Sequence, residues 1–374
     1  ERLVVTATHT HNAPNLPGYA PLLWAGRTTA EQDRHSADYA SFAIEQMAAA
    51  VVAALKKRRP MRLEWARGRV TFGGNRRILK NGRWAGFGFQ RNGPVDHSLP
   101  LLAARDAEGT VRAVWANYAC HCTAAGSRNS VGGDWAGYAN EFIEQDFPAA
   151  VSLMTIGCGA DVGPQPTGGL ELAGRHGRKV ADEVRMLLSG KNRRLAGEPS
   201  VVGKRIKLPL QAPRPREYWE KQAKDKGFRG QLAKAMLARL AATGAIPDEV
   251  DYPIAAWTFG DDLAMVFLAG EVVVDYAVRL NRELDWKRLW ISAWANDMPS
   301  YIPSRRVLTE GGYEPDSSQV YYGKPGPYRP EIEDLLVNTV RELLGDRFAA
   351  PPDQKPAPFH RIPSPAQADE SADK

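Results

Sequence analysis

The chain alternates short apolar runs, rich in β-branched residues, with longer stretches of helical periodicity. "RLVVTAT" near the start is apolar and β-branched and predicts a buried strand. "SADYASFAIEQMAAAVVAALKKR" (36–58) predicts a helix: Ser36 suits an N-cap, the alanines favour helix, and basic residues sit at the C-terminal end. "MRLEWARGRVTF" alternates like a strand, and "VRAVWANYACHC" (111–122), "AVSLMTIGCGAD" (150–161), "LAMVFLAGE" (263–271) and "KRLWISAWAND" (287–297) predict further strands. Helices are expected around 172–189, over 216–242, in "VVVDYAVRLNREL", and in "RPEIEDLLVNTVRELL" (329–344), where Pro330 lies near the first turn. This alternation predicts an α/β fold, with a mixed or largely parallel sheet flanked by helices. From Ala349 the chain turns Pro-rich and polar, which predicts one α/β domain over 1–348 and a disordered tail over 349–374.

In sheets of this class the functional crevice lies beyond the carboxyl ends of the strands. Five predicted strand ends deliver polar groups there: His9 and His11; His121, with Asp134 following; Asp161; Glu271; and Asn296-Asp297, with Tyr301 just after. Two imidazoles and a carboxylate are a common catalytic zinc set that leaves a position open for water. On extended backbone His9 and His11 share one face, so one could ligate while the other donates a hydrogen bond to substrate. Each group also has a plainer reading. Glu271 could serve a helix N-terminus, and Asp134 and Asp161 could be turn formers beside glycine. Cys158, between two glycines, is a weaker nucleophile candidate without a basic partner. Cys120 and Cys122, flanking His121, read as core. "GADVGPQPTGG" (159–169) lacks both the Walker and the Rossmann spacing.

Composition narrows the class only a little. The 374 residues are 43% hydrophobic and 25% charged, with a net charge of +6. Three cysteines are too few for a disulfide scaffold, and no apolar run is long enough to span a bilayer. Eleven Lys/Arg against three Asp/Glu between Lys204 and Arg239 form one basic stretch, with Tyr218, Trp219 and Phe228 among them. It reads as a solvated helical face or as a surface for an anionic or amphipathic substrate, and the helical part over 214–242 reads equally as a surface helix pair or as a lid over a site. A nucleic-acid partner is not expected.

Five segments, in order, resemble neutral/alkaline ceramidases, which are zinc-dependent amidases. "ATHTHNAPN", "GGNRRI", "NYACHCTAAGSRNSVGGDWAGYA", "FLAGEVVVDYAVRL" and "ANDMPSYIPSRRVLTEGGYE" are similar to the family's histidine, Asn-Arg, second histidine, glutamate and tyrosine segments. The resemblance implies a Zn²⁺ held by His9, His121, Glu271 and Tyr301, and a scissile carbonyl polarised by His11, Arg76 and Tyr313. Asp134 and Asp161 would then orient ligand histidines. It implies hydrolysis of an amide (N-acyl) bond in a small or lipid-like substrate, a periplasmic or secreted location, and compatibility with membrane-surface contact. An esterase or lactonase, a sugar deacetylase, and a non-catalytic zinc-binding descendant remain alternatives. Departures point to a divergent branch: Gly163 stands where the family carries a serine nucleophile. The family's upstream sheet strands and its C-terminal immunoglobulin-like domain have no counterpart, so the N-terminal part of the domain is expected to be missing.

Overall fold

The computed structural model describes residues 3–361. Its larger sheet runs in the order Val151–Ile156, Val111–Tyr118, Ser98–Arg105, Arg62–Arg69, Arg193–Leu195. The second runs Ser200–Pro209, Glu249–Phe259, Leu263–Leu268, Leu289–Ser292. The class is α/β with mixed sheets. Most neighbours are antiparallel, but Val111–Tyr118 with Val151–Ile156, and Leu263–Leu268 with Leu289–Ser292, are parallel.

Those two parallel pairs position the site. Parallel strands deliver their carboxyl ends to the same edge, whereas antiparallel neighbours do not. The pairs also abut: Ala293 donates its N–H to the Ile156 carbonyl, and Asn117 donates Nδ2–H to the Ile291 carbonyl at 3.0 Å. Four strand ends therefore open on one place. The Leu263–Leu268 strand is buried at every position, as expected of a strand covered on both faces. The helices Asp134–Asp146 and Leu170–Ser189 pack together against the larger sheet. Gly177 permits their close approach, since a Cβ there would lie 2.6 Å from the Tyr138 Cβ and 2.8 Å from the Ala139 N.

Several expectations are corrected. From Leu3 on, "RLVVTAT" forms no strand: Thr6 bridges Ala295 in isolation, and Leu3 and Val5 are exposed. The first long helix spans Ala30–Lys56 and is capped by Thr29, not Ser36. Thr29 and Gln32 complete a capping box, each side chain bonding the other's backbone N–H. The basic stretch begins in the strand Ser200–Pro209, and the helix expected over 216–242 is two, Arg216–Gln222 and Phe228–Thr243, which close a small cluster of their own around Trp219, Leu232 and Met236.

The disordered tail expected over 349–374 is ordered in its first part. Phe359 is buried against Trp286, and His360–Arg361 pairs antiparallel with Val95–Asp96. Gln354 donates to the carbonyls of Asn281 and Leu284, so polar residues here serve as anchors and not as solvated coil. The rest of that segment lies outside the described residues.

Candidate metal centre

The loop after Thr6 is bent, not extended. His9 adopts φ +53°, and its ring stacks on Trp294 at 5.5 Å, itself at φ +49°. Two non-glycine residues in left-handed backbone, face to face, mark strain held by surrounding structure. The bend brings the two imidazoles together by a route other than the shared strand face: His9 Nε2 and His11 Nε2 are 3.3 Å apart. Thr10 Oγ1 donates to the Gly132 carbonyl, and His11 N donates to the Cys122 carbonyl, tying this loop to the segment that carries His121.

His121 is buried beyond the end of the Val111–Tyr118 strand. Its Nδ1 lies 2.7 Å from the Gly159 carbonyl. A carbonyl can only accept, so Nδ1 carries the proton and the Nε2 lone pair faces inward. The ligating atoms of His9, His11 and His121 all lie within 4.8 Å of one another and could hold a metal ion. Glu271 completes the group: Oε2 is 3.3 Å from His9 Nε2 and 3.4 Å from His121 Nε2. His121 Nε2 and Glu271 Oε2 are buried and make no hydrogen bond. A lone pair and a carboxylate oxygen, both desolvated and both aimed at one point, are what a divalent cation satisfies.

Electrostatics agree with that donor set. Burial lowers the pKa of His9, although Glu271 opposes it. Burial, with the charge of Arg76, lowers His121 to about 3. Burial opposes the charge on Glu271, but His9, His121 and Tyr322 outweigh it and hold the carboxyl well below its ordinary value. Neutral imidazoles and an ionised carboxylate are the ligand forms of these side chains.

Tyr301 is brought in by register. Glu271–Val272 and Tyr301–Ile302 form a short parallel pair with Glu271 opposite Tyr301. The Tyr301 hydroxyl lies 3.2 Å from Arg76 Nη2, and burial raises its pKa well above the usual phenol range. Arg76 is held by Glu314 through Nε at 3.2 Å, and its guanidinium lies 5.7 Å from the centre of the Tyr313 ring. Tyr313 in turn meets Tyr301 and Phe87 edge to face. All seven residues expected as ligands or carbonyl-polarising groups therefore lie in one cluster or against its wall.

Asp134 and Asp161 touch no histidine, which corrects their expected role. Asp134 accepts the N–H groups of Ala124, Ala125 and Trp135, shaping the turn after His121, while Trp135 Nε1 donates to the His121 carbonyl. Asp161 accepts from Asn75 Nδ2, from Arg306 and from the N–H of Val274, the first residue of the helix after Glu271. Asn296 faces away from the cluster and binds the Val5 backbone. Cys120, Cys122 and Cys158 are core, with thiol pKa values raised by burial. Gly163 lies in a short strand paired to Gly74, where an added Cβ would meet nothing within 4 Å.

Two residues escaped the sequence reading. Tyr322 donates its hydroxyl to Glu271 Oε1 at 2.5 Å, and Tyr19 lies 3.1 Å from the Tyr322 hydroxyl. Neither sits at a strand end or in a motif; Tyr322 follows a one-turn helix. Tyr322 also lines a cleft of about 370 Å³ whose other walls include Arg239, Asp297 and Lys324.

No protein-family model matches this chain, and no curated protein matches it by sequence. Solved structures do match. A neutral ceramidase from Pseudomonas aeruginosa superposes with a TM-score of 0.61 over 96% of this chain, at 15% identity. The fold is ceramidase-like. A structure described as a ceramidase complexed with C2 matches with the same TM-score, identity and coverage of this chain. This chain spans 64% and 65% of the lengths of those two proteins. Among its described residues no helix is long and apolar enough to cross a membrane.

Proposed function

We propose that this chain is a zinc-dependent hydrolase that cleaves an amide (N-acyl) bond in a ceramidase-like manner. The supporting observation is the pair of buried, unpartnered atoms His121 Nε2 and Glu271 Oε2, facing each other beside His9. His9, His121, Glu271 and Tyr301 would hold the ion. Zinc in such a set polarises a carbonyl and lowers the pKa of a water to about 7.

The rest falls to the chain's own side chains. Arg76, buttressed by Glu314, keeps a fixed positive charge beside the ligands, and Tyr313 and His11 border the same space. Donors fixed in advance stabilise the oxyanion of a tetrahedral intermediate without reorganising. His11, the most exposed of the three histidines, is placed to meet substrate. Gly163 has no side chain to attack with, so the nucleophile in this reading is water. A periplasmic or secreted setting and a lipid-like substrate belong to the same proposal.

A more polar substrate, such as an ester, a lactone or an acetylated sugar, is favoured by one observation. The cleft beside Tyr322 sets the charged side chains of Arg239, Glu249, Asp251, Asp297 and Lys324 among apolar ones such as Leu210 and Val250.

Metal content decides the reading first. Elemental analysis of purified protein is expected to find about one zinc per chain, lost in His9→Ala and in His121→Ala. Turnover of N-acyl substrates should then vanish in Arg76→Ala with zinc retained. Folded protein that never binds zinc would exclude the hydrolase; zinc without turnover on N-acyl and O-acyl panels would leave a binding protein.

A further inference from the structure

The helix Ala30–Lys56 takes no part in the site, and its surface is anomalous. It is 27 residues long and none of them is buried. From Ile44 to Lys56 every residue is exposed, and Phe42, Ile44 and Leu55 are each more than half exposed. Apolar surface on this scale marks a place where another molecule sits.

The pattern says what kind of molecule. Ala40, Ala43, Met47, Ala50 and Ala54 recur at spacings of three and four, a seam of mostly small side chains along one face. Ile44, Val51 and Leu55 flank that seam. Small residues in the seam let a second helix approach closely, while the flanking branched residues clasp it.

Charge then selects the partner. The first turns carry Glu31, Asp33 and Asp38 against Arg34 alone, and the other end carries Lys56, Lys57, Arg58 and Arg59 in succession. One end is acidic and the other basic. Two copies laid antiparallel set acid against base at both ends, and a two-fold axis makes the contact self-complementary. A parallel pair sets like against like. An anionic lipid surface attracts the basic end but repels the acidic one.

We propose that this helix is an antiparallel dimer seam, occupied by the same helix of a second copy of the chain. With Asp38 opposite Lys56, the two-fold axis passes at Met47 and Ala40 faces Ala54.

The test uses the full chain. Sedimentation equilibrium is expected to show a dimer. Met47→Glu is expected to raise its dissociation constant by about tenfold or more while far-UV helicity is kept. Asp38→Lys should loosen the dimer, and Lys56→Asp in the same chain should restore it. A second measurement covers any variant that misfolds. The native cysteines are buried, so Met47→Cys should cross-link to its own copy on oxidation, whereas Ala40→Cys, opposite an alanine, should not. A monomer at every concentration overturns the proposal. Equal cross-linking at both positions also overturns it, because that requires a parallel pair. So does a wild-type monomer that sediments with phosphatidylglycerol vesicles and loses this in Met47→Glu, which would assign the surface to lipid.

Discussion

Glu271 presents one carboxylate oxygen to Tyr322 and the other to His9 and His121. Removing the tyrosine hydroxyl leaves the ligand in place but frees its rotation. Tyr322→Phe is therefore expected to weaken zinc binding by about ten- to a hundredfold with the fold intact; a competition titration against a chromogenic chelator reads this directly. Glu314 carries a different load. Fully buried, it pairs with both Arg76 and the buried Arg77. Glu314→Gln leaves two guanidinium groups short of a charge and is expected to cost about 3 kcal/mol in urea unfolding. The sequence exposed His121 and Glu271 because they follow strands, and His9 because it follows an apolar run, although that run forms no strand. Tyr301 and Arg76 needed the family resemblance. Tyr322 was hidden because a tyrosine beside a single helical turn carries no periodic signal, and only tertiary folding sets it on the carboxylate.

At the scale of elements, period served better than propensity. The strands flanking the site announced themselves by apolar runs, whereas "RLVVTAT" has strand composition but only one bridging partner. Strand preference reflects a pleated surface to lie on, and this segment has little of one. The Thr29–Gln32 capping box was written in the chain, yet Ser36 was read as the cap because the apolar period begins nearer to it. Proline content misled at the other end. Phe359 and Gln354 secure the segment after Ala349, and Phe359 packs on Trp286 and Arg67. Phe359→Ala should release it, making Arg361, held in wild type by pairing with Val95, a new site of tryptic cleavage in native conditions, while wild type resists. His360, near Asp96, belongs to the same latch. Burial disfavours the Asp96 charge, but His360 and Ser98 hold its pKa below 3.8. A carboxyl with a lowered folded-state pKa stabilises fully above its unfolded value and fades as pH falls through the folded one. The latch is thus expected to loosen only below about pH 3.8. Proteolysis with an acid-active protease across that range would reveal it, and the loosening should be absent in Asp96→Asn.

For the molecule as a whole, the proposed ligands come from four stretches of chain, around residues 9, 121, 271 and 301. Two parallel strand pairs bring the segments of His121 and Glu271 to one edge, the bent loop after Thr6 adds His9, and Ala293 and Asn117 fasten the pairs to each other. The fold thus preforms the site, so the unfolded chain has no comparable binding place. An ion bound only by the folded state adds stability by mass action, about 2.7 kcal/mol at a free concentration a hundred times the dissociation constant. Chelation should lower the melting temperature, and added zinc should restore it without changing the secondary structure. His121→Ala removes one ligand and the orphaned lone pair together, so its melting temperature should match the chelated wild type and ignore added zinc. Equal melting of wild type with and without chelator, in protein shown to contain zinc, would mean that the ion does not hold these segments together. The coincidence of His9, His121 and Glu271 would then be geometry without binding.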